Sequence, residues 1–291
     1  MNANNRISLL GLGSMGTAMV TRLLEQGFEV DVWNRSPKNV EEMFGGRVAQ
    51  VPLSAALQNQ VVISFLSNDA AVLETFTEEA LATAAEGTIH LNMSTLSPEA
   101  SKVLAARHEA NGVGYLACPI LGRPIAILSG KTLSVVAGDG ALLERVAPVL
   151  EKISAKHWYL GPDHATASLV KLGVNYNIIH ALQAIAESVA LVEAGGVDPN
   201  TFVEIITHTA FTGSAYTGYG PMIANRKYSP AGFSMELGVK DVKLVQDAAG
   251  DLGLNLPVAG VLLDLFQTAL KNPQLADLDW SAVSELTRKP V

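Results

Sequence analysis

The chain has 291 residues, 48% of them apolar and only 16% charged. A length near the limit of about 250–300 residues for one hydrophobic core favours two domains, and a charged fraction below the usual ~25% predicts a surface partly covered in a homo-oligomer. The net charge of −8 argues against nucleic acid as a partner, and the single cysteine, Cys118, excludes an internal disulfide and fits a reducing compartment.

The chain also lacks the patterns of export and of membrane insertion. The N-terminal residues contain no basic segment followed by an apolar one. The most apolar long segment, residues 169–197, contains Lys171, Asn175, Gln183 and Glu187. These polar side chains predict a helix that is buried in protein and not in lipid. We therefore expect a cytoplasmic protein without membrane contacts.

Short apolar runs alternate with helical patterns over roughly the first 160 residues. The predicted strands are 7–10, 29–33, 61–66, 88–91, 114–117 and 133–137. Strands that are apolar without alternation are typical of parallel sheets covered by helices on both faces. The sequence therefore predicts the α/β class, with a doubly wound parallel sheet in the N-terminal part.

Strand patterns nearly vanish after Gly161-Pro162, and helical patterns take over. A helix predicted at about residues 168–195 exceeds the usual 8–20 residues, so we expect it to link two domains. Gly195-Gly196 ends it and Asp198-Pro199 starts the next helix. Further helices are predicted at 201–209, 221–225, 236–252 and 257–271. These limits predict a first domain over residues 1–162 and an all-α domain over residues 163–291.

A glycine-rich turn follows the first predicted strand and opens a helix at about Thr17; it reads Gly11-Leu12-Gly13-Ser14-Met15-Gly16. In this position the three glycines allow a tight turn, a close approach to a pyrophosphate, and close packing of the helix on the strand. The free N–H groups at the helix N-terminus favour phosphates. The sequence therefore predicts that the first domain is a Rossmann domain that binds a dinucleotide.

The end of the second predicted strand bears on the choice between NAD and NADP. Asp31 lies 20 residues after Gly11, at the spacing of an acidic residue that binds the ribose of NAD, but it stands inside the strand. At the tip, Asn34 is neutral, Arg35 can pair with a 2′-phosphate and Ser36 can donate a hydrogen bond. We therefore expect NADP in preference to NAD; a solvated Arg35 without a ligand is the alternative.

Two further strand ends carry candidate ligand-binding residues. Ser94 and Thr95 follow one predicted strand, and Leu66 and Ser67 end another. Ligands of open α/β sheets gather beyond the carboxyl ends of the strands. We expect Thr95 and the backbone of Leu66 and Ser67 to contact the cofactor, and Ser94 to contact the substrate. Capping of a helix that starts at Pro98 is a second role open to these hydroxyls and to Ser97.

Four spaced motifs give nearly the whole chain a resemblance to the β-hydroxyacid dehydrogenase family, which includes 3-hydroxyisobutyrate dehydrogenase and the glyoxylate/succinic semialdehyde reductases. The motifs are the turn from Gly11 to Gly16, Ser94-Thr95 with Ser97-Pro98, Lys171 with Asn175, and Lys240-Asp241 after Gly238. The resemblance implies an NADP-dependent oxidoreductase that acts on small aldehydes or β-hydroxy acids. It also implies a homodimer formed through the helical domains.

The resemblance implies that Lys171 is catalytic, that Asn175 orients the lysine or the substrate, and that Lys240 reaches the cofactor across a cleft between the domains. The residues themselves support the first role. A lysine on a mostly apolar helix loses hydration, which favours its neutral amine and suits a general acid and base. Asn175 lies one turn further along the same helix face. A surface lysine that extends its charge into water is the alternative.

The substrate loop departs from the family pattern Pro-Val-Ser-Gly-Gly. Here Leu121 stands in place of the serine, Gly122 is retained, and Arg123 stands in place of the second glycine. The loop expected to bind a substrate carboxylate thereby loses one hydroxyl donor. Arg123 either restores anion binding by a bidentate pair or points to solvent, and the sequence leaves both open. His164, in the loop before the long helix, is expected to be incidental.

The same loop, through Gly130, also resembles that of imine reductases, relatives with the same fold that generally lack the lysine present here as Lys171. Lys171 thus favours carbonyl chemistry, and imine reduction is the alternative. Tyr216 and Tyr219 stand among glycines in a predicted loop and, with Phe233, are candidates for a less polar substrate pocket. A nucleotide-binding protein without catalytic activity is a further alternative, which Lys171 opposes.

Overall fold

The computed structural model describes residues 5–288, and its contacts divide the chain into two compact units. The first unit ends at Lys171 and the second begins at Leu172. Each unit has a hydrophobic core of its own. Between residues 5 and 288, no helix is both long and apolar enough to span a membrane.

The first unit is built on a nine-stranded sheet. Its strands are β1 (Arg6–Leu10), β2 (Glu29–Trp33), β3 (Val48–Gln50), β4 (Val61–Ser64), β5 (Ile89–Asn92), β6 (Gly114–Ala117), β7 (Ile120–Leu121), β8 (Leu133–Gly138) and β9 (Lys156–Tyr159). The first six strands are parallel and run in the order β3-β2-β1-β4-β5-β6. Strand β8 continues the sheet antiparallel to β6, and it also pairs with β7 and β9. The order of the six parallel strands is that of the Rossmann fold, so the predicted architecture is confirmed.

Helices cover both faces of this sheet. They are α1 (Ser14–Glu25), α2 (Val40–Phe44), α3 (Leu53–Ala56), α4 (Asp69–Thr75), α5 (Glu78–Leu81), α6 (Pro98–Ala110), α7 (Pro124–Leu128) and α8 (Gly140–Ile153). Successive residues of β1 enter different cores: Leu9 packs in the cluster that contains Leu23 of α1, and Leu10 packs in the cluster that contains Leu104 of α6. The continuous apolar runs in the sequence follow from this two-sided burial.

Side chains ahead of several helices accept hydrogen bonds from the first free N–H groups. Ser97 Oγ accepts from Ala100 N–H at 3.0 Å, and Pro98 occupies the first turn of α6. The capping role that the sequence leaves open for Ser97 is therefore present. Asp198 likewise accepts from Thr201 N–H at 3.0 Å, ahead of the helix that begins at Pro199.

The second unit is helical. Its helices are α9 (Ala165–Ala194), which begins in the first unit, α10 (Pro199–Thr207), α11 (Ser214–Ala224), α12 (Met235–Asp251) and α13 (Ala259–Lys271), followed by a 3-10 helix (Trp280–Leu286). The long helix that the sequence predicts at about 168–195 is α9. It ends before Gly196, whose φ of +84° is the left-handed conformation that commonly follows a helix.

An ion pair connects the last described residue with this unit. Arg288, only 5% exposed, donates from Nε and Nη2 to the two carboxylate oxygens of Glu193 at 2.8 and 2.6 Å, near the end of α9. It also donates from Nη1 to the Ile223 carbonyl of α11. A guanidinium that pairs with both oxygens of a carboxylate is strong and geometrically specific. The end of the described chain is therefore fixed to two helices.

Candidate active site

The glycine-rich turn between β1 and α1 has the form that the sequence predicts. Gly11 has a φ of +96°, and a Cβ on it would lie 2.2 Å from the Phe65 carbonyl oxygen. A Cβ on Gly16 would lie 1.8 Å from the Gly11 carbonyl oxygen. Gly13 is exposed, and a Cβ there would meet no atom within 4 Å. Gly11 and Gly16 are therefore required by the packing of the chain itself, whereas Gly13 borders open space.

The N-terminus of α1 is free of side-chain caps. The helix begins at Ser14, earlier than the predicted start at about Thr17, and its N-cap residue, Gly13, has no side chain to offer. Ser14 is exposed, and Met15 is half-buried against the core. Uncapped N–H groups at a helix N-terminus bind anions. The open space at Gly13 and the uncapped helix end together fit the pyrophosphate of a dinucleotide.

Asn34 holds this turn in place. Leu12 N–H donates to Asn34 Oδ1 at 2.9 Å, and Asn34 Nδ2 donates to the Ser36 carbonyl at 2.7 Å. Gly11 N–H donates to the Trp33 carbonyl at 2.8 Å. Asn34 therefore connects the glycine-rich turn with the tip of β2, a structural role that the sequence does not indicate.

The two candidates for cofactor choice have different surroundings. Asp31 is buried in β2, where its Oδ2 accepts from Asn59 Nδ2 at 3.0 Å and its Oδ1 lies 3.5 Å from Arg6 Nη1. Arg35 and Ser36 are exposed at the strand tip. The carboxylate of Asp31 is thus bound inside the sheet, and the guanidinium of Arg35 is accessible to a ligand.

A hydrogen bond joins the two strand ends that carry the other predicted cofactor residues. Leu66 N–H donates to Ser94 Oγ at 2.8 Å, between the residues that follow β4 and those that follow β5. Leu66 and Thr95 are half-buried, and Ser67 is exposed. The first unit therefore brings these residues together at the carboxyl edge of the sheet, where open α/β sheets bind ligands.

Two reactive side chains of the first unit have structural roles. Cys118 is fully buried, and burial raises the pKa of its thiol to about 12, so it is a core residue. His164 Nε2 lies 3.1 Å from the Tyr115 carbonyl oxygen and donates to it, because a carbonyl only accepts. No group of three or more His, Cys, Asp and Glu side chains in the described part of the chain could hold a metal ion.

Lys171 and Asn175 lie one turn apart on α9, and both are buried. In the second unit, Asn175 Nδ2 donates to Asp241 Oδ2 at 2.5 Å. Lys240 Nζ lies 3.3 Å from the other oxygen of the same carboxylate, Asp241 Oδ1. Two of the predicted site residues, Asn175 and Lys240, therefore share one buried carboxylate.

Asp241 stands in one of the four sequence motifs, but its role becomes clear only from the structure. Asp241 is fully buried on α12, and the spacing of its neighbours in the sequence indicates this burial. Gly238, Asp241, Val242 and Val245 follow one another at the spacing of the buried face of a helix, and all four are buried. An acidic residue on such a face needs a polar partner, since burial of an unpaired charge is costly. Here the partners are Asn175 and Lys240.

The predicted substrate loop lies at the edge of the sheet in the first unit. Leu121 ends β7, pairs with Leu133 of β8, and packs half-buried against a core cluster. Gly122 has a φ of +155°. Arg123 is half-buried and directly precedes α7. Leu121 is therefore part of the sheet, and Arg123 is the cationic residue of this loop.

The prediction of a loop around Tyr216 and Tyr219 is wrong, because both residues lie on α11. One of the nearby glycines, Gly220, serves helix packing and not a turn. A Cβ on Gly220 would lie 2.8 Å from a methyl group of Val203 on α10, so only glycine allows the two helices this approach. Tertiary packing thus overrides the low helix propensity of glycine.

The aromatic residues proposed for a substrate pocket divide into two groups. Tyr219 is buried with its ring edge-on to Trp280, the ring centroids being 6.0 Å apart, and Phe233 packs on the same indole at 4.3 Å. Tyr216 packs instead on Phe211, at 4.7 Å. The second unit therefore brings Tyr219 and Phe233 together at Trp280, whereas Tyr216 belongs to a separate pair.

Two family models match successive parts of the chain. Residues 6–161 match the NAD binding domain of 6-phosphogluconate dehydrogenase, and residues 165–287 match the NAD-binding region of NADP-dependent 3-hydroxyisobutyrate dehydrogenase. The chain belongs to the β-hydroxyacid dehydrogenase family. The resemblance seen in the four sequence motifs is thereby confirmed, and this family member is an NAD(P)-dependent oxidoreductase.

Known proteins resemble this chain over almost its whole length. Glyoxylate/succinic semialdehyde reductase 1 of Arabidopsis thaliana is 29% identical, over 97% of this chain and 98% of the relative. The structure of Mycobacterium tuberculosis 3-hydroxyisobutyrate dehydrogenase with L-serine has a TM-score of 0.85 and 27% identity, over 99% of this chain and 100% of that one. A Streptomyces aurantiacus imine reductase, with a TM-score of 0.65 and 24% identity over 98% of this chain and 100% of its own, shares the fold.

Proposed function

We propose that this oxidoreductase uses NADP to reduce small aldehydes to alcohols or, in the opposite direction, to oxidise the hydroxyl group of β-hydroxy acids, with Lys171 as general acid and base. The observation that carries the proposal is the burial of Lys171 one helical turn before Asn175, whose amide a buried carboxylate holds. The names of the two relatives, a glyoxylate/succinic semialdehyde reductase and a 3-hydroxyisobutyrate dehydrogenase, support the substrate class. The nicotinamide cofactor, when bound, supplies or accepts the hydride.

Lys171 moves the proton in this reaction. During reduction its ammonium group donates a proton from Nζ to the carbonyl oxygen of the substrate, and during oxidation its neutral Nζ accepts the proton of the substrate hydroxyl. The burial of Lys171 limits the access of water to this transfer. Asn175 Oδ1 accepts a hydrogen bond from the lysine or from the substrate hydroxyl, because Nδ2 of the same amide donates to Asp241. Asp241 thereby acts through Asn175.

The tip of β2 supports NADP as the cofactor. The exposed Arg35 can pair with a 2′-phosphate through two N–H groups, and the exposed Ser36 can add a hydrogen bond. Asp31, the residue that would favour the unphosphorylated ribose, is bound to Asn59 inside the sheet. The exposed basic group therefore favours the phosphorylated cofactor.

A specific feature of the loop supports a second candidate function, imine reduction. Leu121 replaces a hydroxyl donor with an apolar side chain, and the loop sequence through Gly130 resembles that of imine reductases. An imine has no carboxylate that requires such a donor. Lys171 favours the carbonyl substrates, since a proton donor at the substrate oxygen is needed in carbonyl reduction.

Turnover of NADPH and NADH by the purified protein tests these alternatives. The substrates are glyoxylate, succinic semialdehyde and a cyclic imine. We expect the aldehyde acids with NADPH to react fastest. Faster turnover of the imine would instead support imine reduction, and binding of NADPH without turnover of any substrate would contradict both activities.

The variant Lys171→Ala tests the proton transfer. We expect kcat to fall by about 10²–10⁴-fold, the range for loss of general acid–base catalysis, while the Kd for NADPH stays within about twofold. Lys243→Ala, which removes an exposed lysine of α12, is the control and should leave both quantities unchanged. Wild-type kcat in Lys171→Ala would rule out the role proposed for Lys171.

A further inference from the structure

Polar side chains are buried in the centre of the first unit's sheet. Ser64 of β4, His90 and Asn92 of β5, and Tyr115 of β6 are each at most 3% exposed, and His108 of α6 is fully buried against them. Central strands of parallel sheets are normally apolar. Buried polar groups cost free energy unless they are hydrogen-bonded. Each of these five side chains has a hydrogen-bonding partner, and the direction of most of the bonds can be deduced.

The hydrogen bonds of the two histidines all run in one donor-to-acceptor direction. His108 Nδ1 lies 2.7 Å from the Leu104 carbonyl oxygen, so this nitrogen carries the proton. Since burial keeps the imidazole neutral, its Nε2 has no proton and must accept from His90 Nδ1, 2.9 Å away. His90 is neutral for the same reason, so its Nε2 accepts from the Ser64 hydroxyl at 2.8 Å. The Leu104 carbonyl thus determines the tautomers of both rings.

The Asn92 amide is oriented by its neighbours in the same way. Ser94 N–H can only donate, so the Asn92 atom 3.1 Å from it is Oδ1. Asn92 Nδ2 then donates to the Tyr115 hydroxyl oxygen at 3.1 Å. The Ser64 hydroxyl, whose proton points to His90, lies 3.2 Å from Asn92 Oδ1 as the longer of its two contacts. Asn92 therefore has one allowed orientation, and it fixes the backbone of Ser94.

This buried cluster ends at the predicted cofactor residues. Ser94, whose N–H is bound by Asn92, accepts from Leu66 N–H through its own Oγ at 2.8 Å. Hydrogen bonds thus connect Asn92 with the residues after β5 and, through Ser94, with those after β4. In a sheet with this strand order, one half of a dinucleotide lies over β1 to β3 and the other half over β4 to β6. The glycine-rich turn and Arg35 belong to the first half.

We propose that Asn92 is a positioning residue for the nicotinamide half of the cofactor. It fixes the end of β5 at Ser94 and, through the Ser94 hydroxyl, the end of β4 at Leu66. Ser94 N–H and the Tyr115 hydroxyl hold Asn92 in the one orientation that serves this purpose. The proposal rests on the proposed function to the extent that Leu66, Ser67, Ser94 and Thr95 are taken to border the nicotinamide. It goes beyond that function by assigning a role to a residue that contacts neither substrate nor cofactor.

Two ligands distinguish positioning from a general effect on folding. NADPH occupies both halves of the site, whereas 2′,5′-ADP occupies only the half with the glycine-rich turn and Arg35. In Asn92→Leu, which keeps a similar shape and removes the polar groups, we expect the Kd for NADPH to rise about tenfold. The Kd for 2′,5′-ADP should stay within about twofold. Tyr115→Phe removes only the hydroxyl that accepts from Asn92 Nδ2 and should shift the NADPH Kd in the same direction by a smaller factor, and it serves alone if Asn92→Leu does not fold.

Thr88→Val is the matched control. Thr88 is 1% exposed, lies directly before the other end of β5, and donates to the Leu57 and Asn59 carbonyls at 3.3 and 3.2 Å. Its replacement removes a buried polar group from the same strand, and both Kd values should remain within about twofold of the wild type. Equal weakening of both ligands in Asn92→Leu, or an unchanged NADPH Kd in the folded variants, would overturn the proposal. A wild-type protein that binds neither ligand would show that the proposed cofactor site itself is wrong.

Discussion

At the scale of single side chains, Arg35 is the residue that we propose to select NADP over NAD. Loss of a charge-assisted bidentate pair costs about 1.5–3 kcal/mol, so Arg35→Ala should raise the Kd for NADPH by about 10–100-fold. The Kd for NADH should change by less than about twofold, because NADH has no 2′-phosphate. Fluorescence titration of the two cofactors measures both values.

A neighbouring cation provides the control for the Arg35 experiment. Lys38 is also exposed in the segment after β2, three positions further along the chain. Lys38→Ala removes the same unit of charge and should weaken NADPH by less than about threefold, as expected for a screened charge without a direct contact. Equal losses for NADPH and NADH in Arg35→Ala would reject a contact with the 2′-phosphate.

Arg123 is the residue of the altered loop that we propose to test for binding of a substrate carboxylate. If its guanidinium pairs with the substrate acid, Arg123→Ala should raise KM for succinic semialdehyde by about tenfold or more. The KM for butanal, which has the same chain length and no carboxylate, should stay within about twofold. Steady-state kinetics with both aldehydes measures this difference. An equal change for the two substrates would mean that Arg123 does not recognise the acid.

At the scale of secondary-structure elements, the contact between β5 and α6 makes the stability of the protein sensitive to acid. Burial lowers the pKa of His108 to about 4 and that of His90 well below its usual value. His164 and Arg107 lower the His108 value further, and the Leu104 carbonyl opposes them. The unfolded chain therefore binds protons below about pH 6.5 that the folded chain does not bind. The free energy of unfolding should thus fall as the pH drops below 6.5, by up to about 1.4 kcal/mol per pH unit for each histidine, until the folded pKa is reached.

Urea unfolding at pH 7.5 and pH 5.0 measures this effect, and His108→Gln isolates it. Glutamine does not titrate, so the variant should lose roughly 2 kcal/mol less stability than the wild type between the two pH values. His208→Gln, at an exposed position on the turn after α10, should keep the wild-type pH dependence. Equal losses in His108→Gln and the wild type would contradict a neutral His108 in the folded protein.

The elements that the sequence predicts well are those buried on both sides. Residues 29–33 and 114–117 are strands with the predicted limits, and most residues of both are buried in the sheet. Strand β9, which is mostly exposed, and the two-residue β7 are not predicted, since their pairing with β8 and not an apolar pattern defines them. Helix α11 is mistaken for a loop because it contains glycines, one of which, Gly220, serves a contact with α10.

The candidate site shows the same division between local and distant determinants. The glycine-rich turn can be predicted because the contacts that require glycine at positions 11 and 16 lie within the turn itself and at the adjacent strands. The bond between Asn175 and Asp241 joins residues 66 positions apart, and no periodicity in one segment reveals it. The sequence therefore identifies the cofactor turn and the lysine-bearing helix, and tertiary structure adds the carboxylate that holds Asn175.

Subunit assembly belongs to the scale of the whole molecule. Leu252, Leu254, Val258 and Val261 are 43–59% exposed and lie close together in the chain, where α12 is followed by α13. Together with the low charged fraction of 16%, they support the homodimer that the family resemblance implies. We expect light scattering to give twice the chain mass of 30.7 kDa. The double variant Leu254→Glu/Val261→Glu should give the mass of one chain, because the new charges would be buried in the interface.

A charge change elsewhere on α12 controls for nonspecific effects on assembly. Lys243 is exposed. Lys243→Glu alters the charge by two units and should leave the mass at that of the dimer. A wild-type mass of one chain would reject the homodimer, and a dimer that persists in the double variant would place its interface on another surface.

The pairing of Arg288 with Glu193 has a practical consequence for handling the protein. The side chain of Arg288 is only 5% exposed, so this residue is shielded in the folded protein. Trimming by a carboxypeptidase that passed this residue would also remove the arginine from α9 and α11. Resistance of Arg288 to carboxypeptidase can therefore serve as a simple assay of correctly folded preparations.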